Sequence, residues 1–295
     1  MSIVDIAART VKNETSESSD DNARTIILAG SKSVGKSHLL YCFLDKNDTP
    51  RETLVLEYSF GRKSSQKQSI DKTICHVWEY GGKLQMLKSV LTSIPISKKF
   101  YYCIMVDLSK IKAIWNTLEI CIQAVKENYT NSSNFPELII IGGKYDIFKN
   151  YDSEIKKFIC TTIRSVALIC NAYLIFYSSK ESQLLRKAKE MFYTIGFGTS
   201  VPLKEKNTNF AKPLIIPKGS DSWESIGVSA STLEQVKLRH LSRITPETEM
   251  KLEVTPLHSS HPEPILDSLV ALKYEELRNM ESYDPSIDDQ LILLQ

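Results

Sequence analysis

No apolar run in the chain approaches the roughly 18–20 residues that cross a bilayer. The six cysteines (Cys42, Cys75, Cys103, Cys121, Cys160 and Cys170) form no C-x-x-C pair. Most lie inside apolar stretches, so they are expected as small buried hydrophobes, not as metal ligands or disulfides. Charge of one sign is also missing. Lys and Arg number 37 against 35 Asp and Glu, a net charge of +2. That balance gives no reason to expect nucleic acid or an anionic membrane as the main partner. Met1 to Asp21 has no apolar core and carries Glu14, Glu17, Asp20 and Asp21. Neither a secretory signal nor an acid-poor mitochondrial presequence is therefore expected, and the chain is placed in the cytoplasm. Without a secretory route, the sequons at Asn128 and Asn131 carry no meaning.

What is present is a phosphate-binding pattern. Gly30-Ser31-Lys32-Ser33-Val34-Gly35-Lys36-Ser37 fits G-x-x-x-x-G-K-[ST] without a mismatch. The apolar run Thr25–Ala29 precedes it and predicts a buried strand. Ser37–Leu44 follows and predicts a helix. Glycines let the backbone curl so that successive N–H groups face a phosphate. The helix N-terminus adds positive potential. Lys36 is then expected at the outer phosphates and Ser37 on Mg²⁺.

Beyond the loop, strands and helices alternate. Leu54–Phe60, Thr73–Trp78, Tyr101–Val106, Leu138–Ile141 and Ala172–Tyr177 predict strands. Lys83–Leu91, Ile111–Glu127, Ser153–Cys170 and Glu181–Ile195 predict helices, with Asp152 or Ser153 as a cap for the third. The alternation implies an α/β fold with a doubly wound, mostly parallel sheet. Four regions are expected: a flexible segment over 1–21, a nucleotide-type domain over 22–200, an irregular Ser/Thr/Pro/Lys-rich extension over 201–262, and a C-terminal amphipathic helix and tail over 263–295. In the extension, Pro213–Pro217 is a candidate edge strand. The last helix, Glu263 to about Ser282, sets Leu266, Leu269, Val270, Tyr274 and Leu277 on one face. Whether that face meets its own domain or a partner stays open.

Four further pieces follow in the order used by Ras-like GTPases. Thr53 matches the place of the Mg²⁺-binding threonine. His76–Gly82 resembles the W-D-x-x-G segment, with Glu79 where Asp is usual and Gly82 as the glycine for the γ-phosphate. Gly143-Lys144-Tyr145-Asp146 resembles N-K-x-D, with Gly in place of Asn. Ser178-Ser179-Lys180 resembles the loop that supports the base. A carboxylate at Asp146 can accept two N–H bonds from the guanine edge. Adenine would leave it unpaired, which is costly in a buried site. The Lys144 stem is expected over the base plane. The metal set is Ser37, Thr53 and Glu79. No catalytic residue is assigned. The position after Gly82 holds Lys83, whose ammonium only donates and cannot accept a proton from an attacking water.

The combination resembles the dynein light intermediate chains, and more closely those of cytoplasmic dynein 2. The runs that carry this are Leu28–Lys32 leading into the loop, Thr53–Arg62, Val77-Trp78-Glu79-Tyr80-Gly81-Gly82, Asp107-Leu108-Ser109-Lys110 with Trp115 following, Ile140–Phe148, Ser178–Ser182, Lys212–Ile215 and Asp221-Ser222-Trp223, covering about Arg24 to Gly227. Set against that family, the chain is expected to lack a helical insertion between Val125 and Pro136 that relatives carry, and its tail is expected to be too short for the long adaptor-binding extension of the dynein 1 relatives. The resemblance implies a non-catalytic motor subunit that binds the dynein 2 heavy chain and other dynein 2 subunits. It also implies work with the intraflagellar transport machinery in retrograde transport and cilium assembly, at the cytoskeleton, cilium and basal body. The expected cofactor is structural GTP or GDP with Mg²⁺, with an empty loop as the alternative. The competing function is a nucleotide-dependent switch. A nucleotide kinase or ATPase would need a lid of arginines or extra acids not found here.

Overall fold

The computed structural model describes residues 23–64, 72–129, 135–198, 203, 205–246 and 264–278. The chain divides into two units, Met1–Pro246 and Glu247–Gln295. The expected flexible segment over 1–21 lies outside the described residues.

In the first unit the described elements run β1 (Ala23–Gly30), α1 (Lys36–Phe43), β2 (Leu56–Ser64), β3 (Lys72–Tyr80) and α2 (Leu87–Leu91). They continue through β4 (Lys99–Asp107), α3 (Ile114–Tyr129), β5 (Glu137–Gly143), α4 (Tyr145–Phe148) and α5 (Ser153–Ile169). Then come β6 (Tyr173–Phe176), α6 (Ser182–Phe197), β7 (Ile215–Ile216), α7 (Trp223–Ile226) and α8 (Leu233–Leu241). The second unit contributes α9 (Pro264–Arg278). Its Leu269 and Val270 are exposed, while the side chains of Leu266, Tyr274 and Leu277 lie outside the described residues.

The sheet has seven strands among the described residues, in the order β2-β3-β1-β4-β5-β6-β7. Pairing is parallel from β3 to β6 and antiparallel at both ends, β2 with β3 and β6 with β7. Every residue of β1 is buried. Side chains alternate across a strand, so β1 supplies two cores. Ile27 and Ala29 join Tyr102, Ile104 and Trp115 on one face. Ile26 and Leu28 join Leu39, Phe43, Met191 and Phe192 on the other. The chain leaves β1 toward β3 and returns across to β4. The crevice at the strands' carboxyl ends, beside β1, is where such sheets bind ligands.

Some boundaries differ from expectation. β2 starts at Leu56 and runs to Ser64, not from Leu54 to Phe60. The Val55 carbonyl accepts from Gly81 N at 2.8 Å, and Leu54 is exposed just outside the ladder. The helix expected over 83–91 opens as a 3₁₀ turn, Leu84–Met86. The largest correction concerns residues 205–246, the described part of the extension over 201–262, expected to be irregular. Ile215–Ile216 forms the edge strand β7, and two helices follow. Helix α8 carries a local start signal in its sequence. Thr232-Leu233-Glu234-Gln235 is a capping box, with Thr232 Oγ1 accepting from Gln235 N and Gln235 Oε1 accepting from Thr232 N.

The segment from 205 to 246 is fastened by a buried ion pair. Arg164 on α5 donates to both carboxylate oxygens of Asp221 at 2.9 and 2.7 Å, and to Ser225 Oγ at 2.9 Å. Burial opposes charge on Asp221, yet the Arg164 bonds outweigh it and hold the carboxyl below its ordinary value. Helix α8 packs on α5, with His240 set between Trp115 and Phe158.

His240 is 1% exposed, and neither ring nitrogen has a hydrogen-bond partner. Burial lowers its pKa to about 4. The unfolded chain takes a proton near the ordinary histidine value, ~6.5, whereas the folded chain refuses it until about pH 4. Stability from this site is therefore full above the unfolded value and drains as pH falls toward the folded one. The loss should be on the order of 3 kcal/mol and level off below that. Urea midpoints measured across this window should fall with pH for the native chain relative to His240→Phe, whichever of the two is higher at neutral pH. Parallel profiles would refute the burial argument.

Candidate nucleotide-binding site

The first loop is built by two backbone positions that few side chains tolerate. Gly30 ends β1 at φ +133°, and a Cβ there would lie 2.0 Å from the Met105 carbonyl oxygen. Gly35 precedes α1 at φ +103°. Between them Ser33 adopts φ +56°. Ser31 N donates to Met105 O at 2.8 Å, which anchors the turn on β4. Lys36 is buried, and its Nζ donates to Ser31 O at 2.8 Å, across the curl. Burial pushes the Lys36 pKa down, against the pull of Glu79.

A cleft of about 290 Å³ opens beside this loop. Its lining includes Ser33, Lys36, Ser37, Thr53, Glu79 and Gly81, with Lys32 and Gly35 also at its wall. An exposed ion pair, Lys32 with Glu52 at 3.0 Å, spans two of the lining segments. Ser37 Oγ donates to Glu79 Oε1 at 2.7 Å. Thr53 Oγ1 donates to Glu57 Oε2 at 3.0 Å. Glu79 and Thr53 are both buried. Burial raises the Glu79 pKa, and the Ser37 bond and Lys36 offset it only in part. This donor set suits a hard cation. Each hydroxyl places its proton on a carboxylate and keeps its lone pairs for another partner. Among the described residues no group of three or more His, Cys, Asp or Glu side chains forms a metal cluster. Any Mg²⁺ here would thus rest on hydroxyls, phosphate oxygens and water, as that ion commonly does.

The second half of the site lies at the ends of β5 and β6. Lys144 takes the left-handed conformation, φ +57°, just before α4. Its Nζ pairs with Asp107 Oδ2 at 2.7 Å. Asp146 Oδ1 accepts from Ser178 Oγ at 2.7 Å, and Lys180 Nζ lies 3.3 Å from Oδ2. Burial opposes charge on Asp146, but the bonds from Ser178 and Lys180 outweigh it and hold the carboxyl below its ordinary value. Ser178 is buried, while Ser179 and Lys180 are exposed.

The two halves are joined through the sheet. Val34 packs against Gly143, where a Cβ would lie 2.5 Å from Val34 Cγ2. Asp107 N donates to Ser31 Oγ at 3.1 Å, while the Asp107 carboxylate holds Lys144. Of the expected residues, Lys32, Ser33, Gly35, Lys36, Ser37, Thr53 and Glu79 line the cleft. Gly30, Ser31 and Val34 shape the loop from behind. Gly82 sits against the Tyr80 hydroxyl, and its neighbour Gly81 provides the wall instead. Two participants were missed. Asp107 is an acid ending a buried apolar strand at the sheet's carboxyl edge, and that position was its signal. Glu57 lies directly across the ladder from Glu79, a pairing visible only once the hairpin register is known.

This geometry defines a P-loop domain of the Ras-like type. No family model matches the chain. It is 33% identical over 336 aligned positions to cytoplasmic dynein 2 light intermediate chain 1 of Danio rerio, covering 92% of each chain. The Bos taurus protein of that name is 34% identical, with 75% of this chain and 73% of the relative covered. The Homo sapiens one is 31% identical, covering 76% and 73%. The solved conserved domain of a dynein light intermediate chain aligns with 77% of this chain and 93% of its own, at 13% identity and a TM-score of 0.48. The chain belongs to the cytoplasmic dynein 2 light intermediate chain family.

Gly30→Ala should cost more than about 3 kcal/mol, because it adds a backbone clash to a disallowed φ. Thermal unfolding checks this. A melting temperature within about 2 °C of the native chain would show that the turn relaxes freely.

Proposed function

We propose that this chain is a non-catalytic subunit of cytoplasmic dynein 2, which binds and stabilises the heavy chain and serves retrograde intraflagellar transport and cilium assembly. The observation that carries the reading is similarity to named dynein 2 light intermediate chains along 92% of the sequence. Its place of action is the cytoplasm, cytoskeleton, cilium and basal body. Partners are the heavy chain, other dynein 2 subunits and the intraflagellar transport machinery.

The cleft takes a guanine nucleotide as a structural element. Loop amides from Lys32 to Lys36 and the Lys36 ammonium hold the phosphates, the Ser31 amide being spent on Met105 O. Ser37 and Thr53 hold Mg²⁺, with Glu79 behind Ser37. Asp146, placed by Ser178 and Lys180, reads the guanine edge, and Lys144 flanks it. Bound Mg²⁺ would neutralise phosphate charge. Slow turnover follows from Lys83, which precedes the Leu84–Met86 turn and offers a water only donors. Even with a water-orienting Gln, such domains hydrolyse unaided at only about 10⁻⁴ s⁻¹.

Two outcomes are expected. The purified chain should carry GDP or GTP detectable by ion-pair chromatography, and Asp146→Asn should lose guanine nucleotide affinity roughly 10- to 100-fold. Asparagine presents a donor where guanine presents another. Retention of full guanine affinity would remove Asp146 from the base site. Separately, Lys36→Ala expressed in ciliated cells should bring down the heavy chain within about twofold of the native amount, a difference below 0.5 kcal/mol. Loss of heavy chain with an unchanged melting temperature would instead favour a nucleotide-driven switch.

A further inference from the structure

Strand β2 is the sheet's outer strand, and among the described residues it pairs only with β3. An unpaired strand edge is a template for another strand. One face of this hairpin is aromatic. Tyr58, Phe60 and Arg62 stand beside Trp78, His76 and Ile74 across the ladder. Phe60 is 61% exposed, Tyr58 45% and Ile74 37%. The Tyr58 ring lies 4.7 Å from that of Trp78, and its hydroxyl bonds His76 Nδ1 at 2.9 Å. Exposed Tyr58, Phe60 and Arg62 beside the half-buried Trp78 have the composition of an interface core. The opposite face is covered, since Gly61 packs under Phe197 of α6 and Leu44.

The sequence of β2 is complementary to itself. We infer that a second copy of this chain pairs antiparallel along β2, about a two-fold axis at Phe60. In that register Phe60 faces Phe60 of the second copy, Tyr58 faces its Arg62, and Glu57 faces its Lys63. Directly opposed residues share a face of an antiparallel ladder. The exposed Arg62 guanidinium therefore meets a tyrosine ring, a cation–π arrangement. Exposed Lys63, whose Nζ lies 4.5 Å from the centre of its own Tyr193 ring, would leave that ring to meet the strand's only acid, Glu57, which keeps its bond from Thr53. The two-fold axis produces each contact twice. Among registers within β2 that keep both aromatic faces on one side, this one alone sets Glu57 opposite a cation. Shifting the centre to Ser59 or Gly61 places no opposite charges together. The two sheets then join edge to edge, and the phenylalanine pair leaves water.

Sedimentation of the full chain in solution tests this directly. A dimer with a dissociation constant near ~1 μM should be nearly complete at about 50 μM. Phe60→Asp and Lys63→Glu should each weaken it at least about tenfold. Phe60 is exposed, so the variant should keep the native circular dichroism. Cysteine placement gives a second readout that does not depend on affinity. The position-60 Cα atoms would lie about 4.5–5.5 Å apart, within disulfide reach. Those at position 62 would be offset by four residues, about 13 Å. Phe60→Cys should cross-link under mild oxidation, and Arg62→Cys should not. A monomer at 50 μM, an undiminished dimer in Phe60→Asp, or equal cross-linking at both positions would each overturn the proposal.

Discussion

The reversal of the chain at Gly30 governs the rest of the site. The first strand is buried along its whole length, so its exit has to be sharp and must leave no backbone group unpaired. The Met105 carbonyl takes the Ser31 amide at 2.8 Å, and no side chain fits beneath Gly30. Lys36 then spans the curl and is fixed on Ser31 O. From this one turn follow the direction of α1, the depth of Lys36 and the position of Ser37 against Glu79. The site is thus a product of how β1 ends between β3 and β4.

Around that turn the carboxylates and ammonium groups are arranged in short relays. Lys36 faces Glu79, which holds Ser37. Thr53 rests on Glu57, and Lys144 rests on Asp107. Burial pushes both Lys36 and Glu79 toward their neutral forms. The proposed ligand, with its anionic phosphates and a cation, would relieve each of these partners in turn. The end proposed to meet the base behaves differently. Asp146 is held charged by Ser178 and Lys180 and is ready to accept.

Legibility in the sequence tracked the range of the interaction. The phosphate loop was readable because its chemistry is contiguous, from Gly30 to Ser37. The core strands were readable because burial on both faces leaves unbroken apolar runs such as Ile139–Ile141. The order of the base-site motifs could be read, but their connection through Asp107 could not, because that acid and Lys144 are 37 positions apart. Residues 205–246 depart from the irregular structure expected of them for a related reason. Their composition is polar, and their helices hold through tertiary contacts with α5. Propensity is a weak guide where such contacts decide. Only the box at Thr232 gave a local hint. The hairpin of β2 and β3 escaped for want of register, which hid both the Glu57–Glu79 alignment and the aromatic face.

The Arg164–Asp221 pair has an implication for how far this domain can be shortened. Both side chains are almost wholly shielded, at 8% and 5% exposure. Losing one member of such a pair strands the other charge in a poor solvent, a penalty of about 3–5 kcal/mol. Cutting the polypeptide after α6, where the nucleotide fold has nominally closed, would leave the guanidinium on α5 without its counter-ion and strip the cover from Trp115 and Phe158. The minimal autonomous body therefore extends past the last α/β repeat to α8. The trailing polar stretch, easily mistaken for a dispensable tether, acts as a cooperative part of the folded whole.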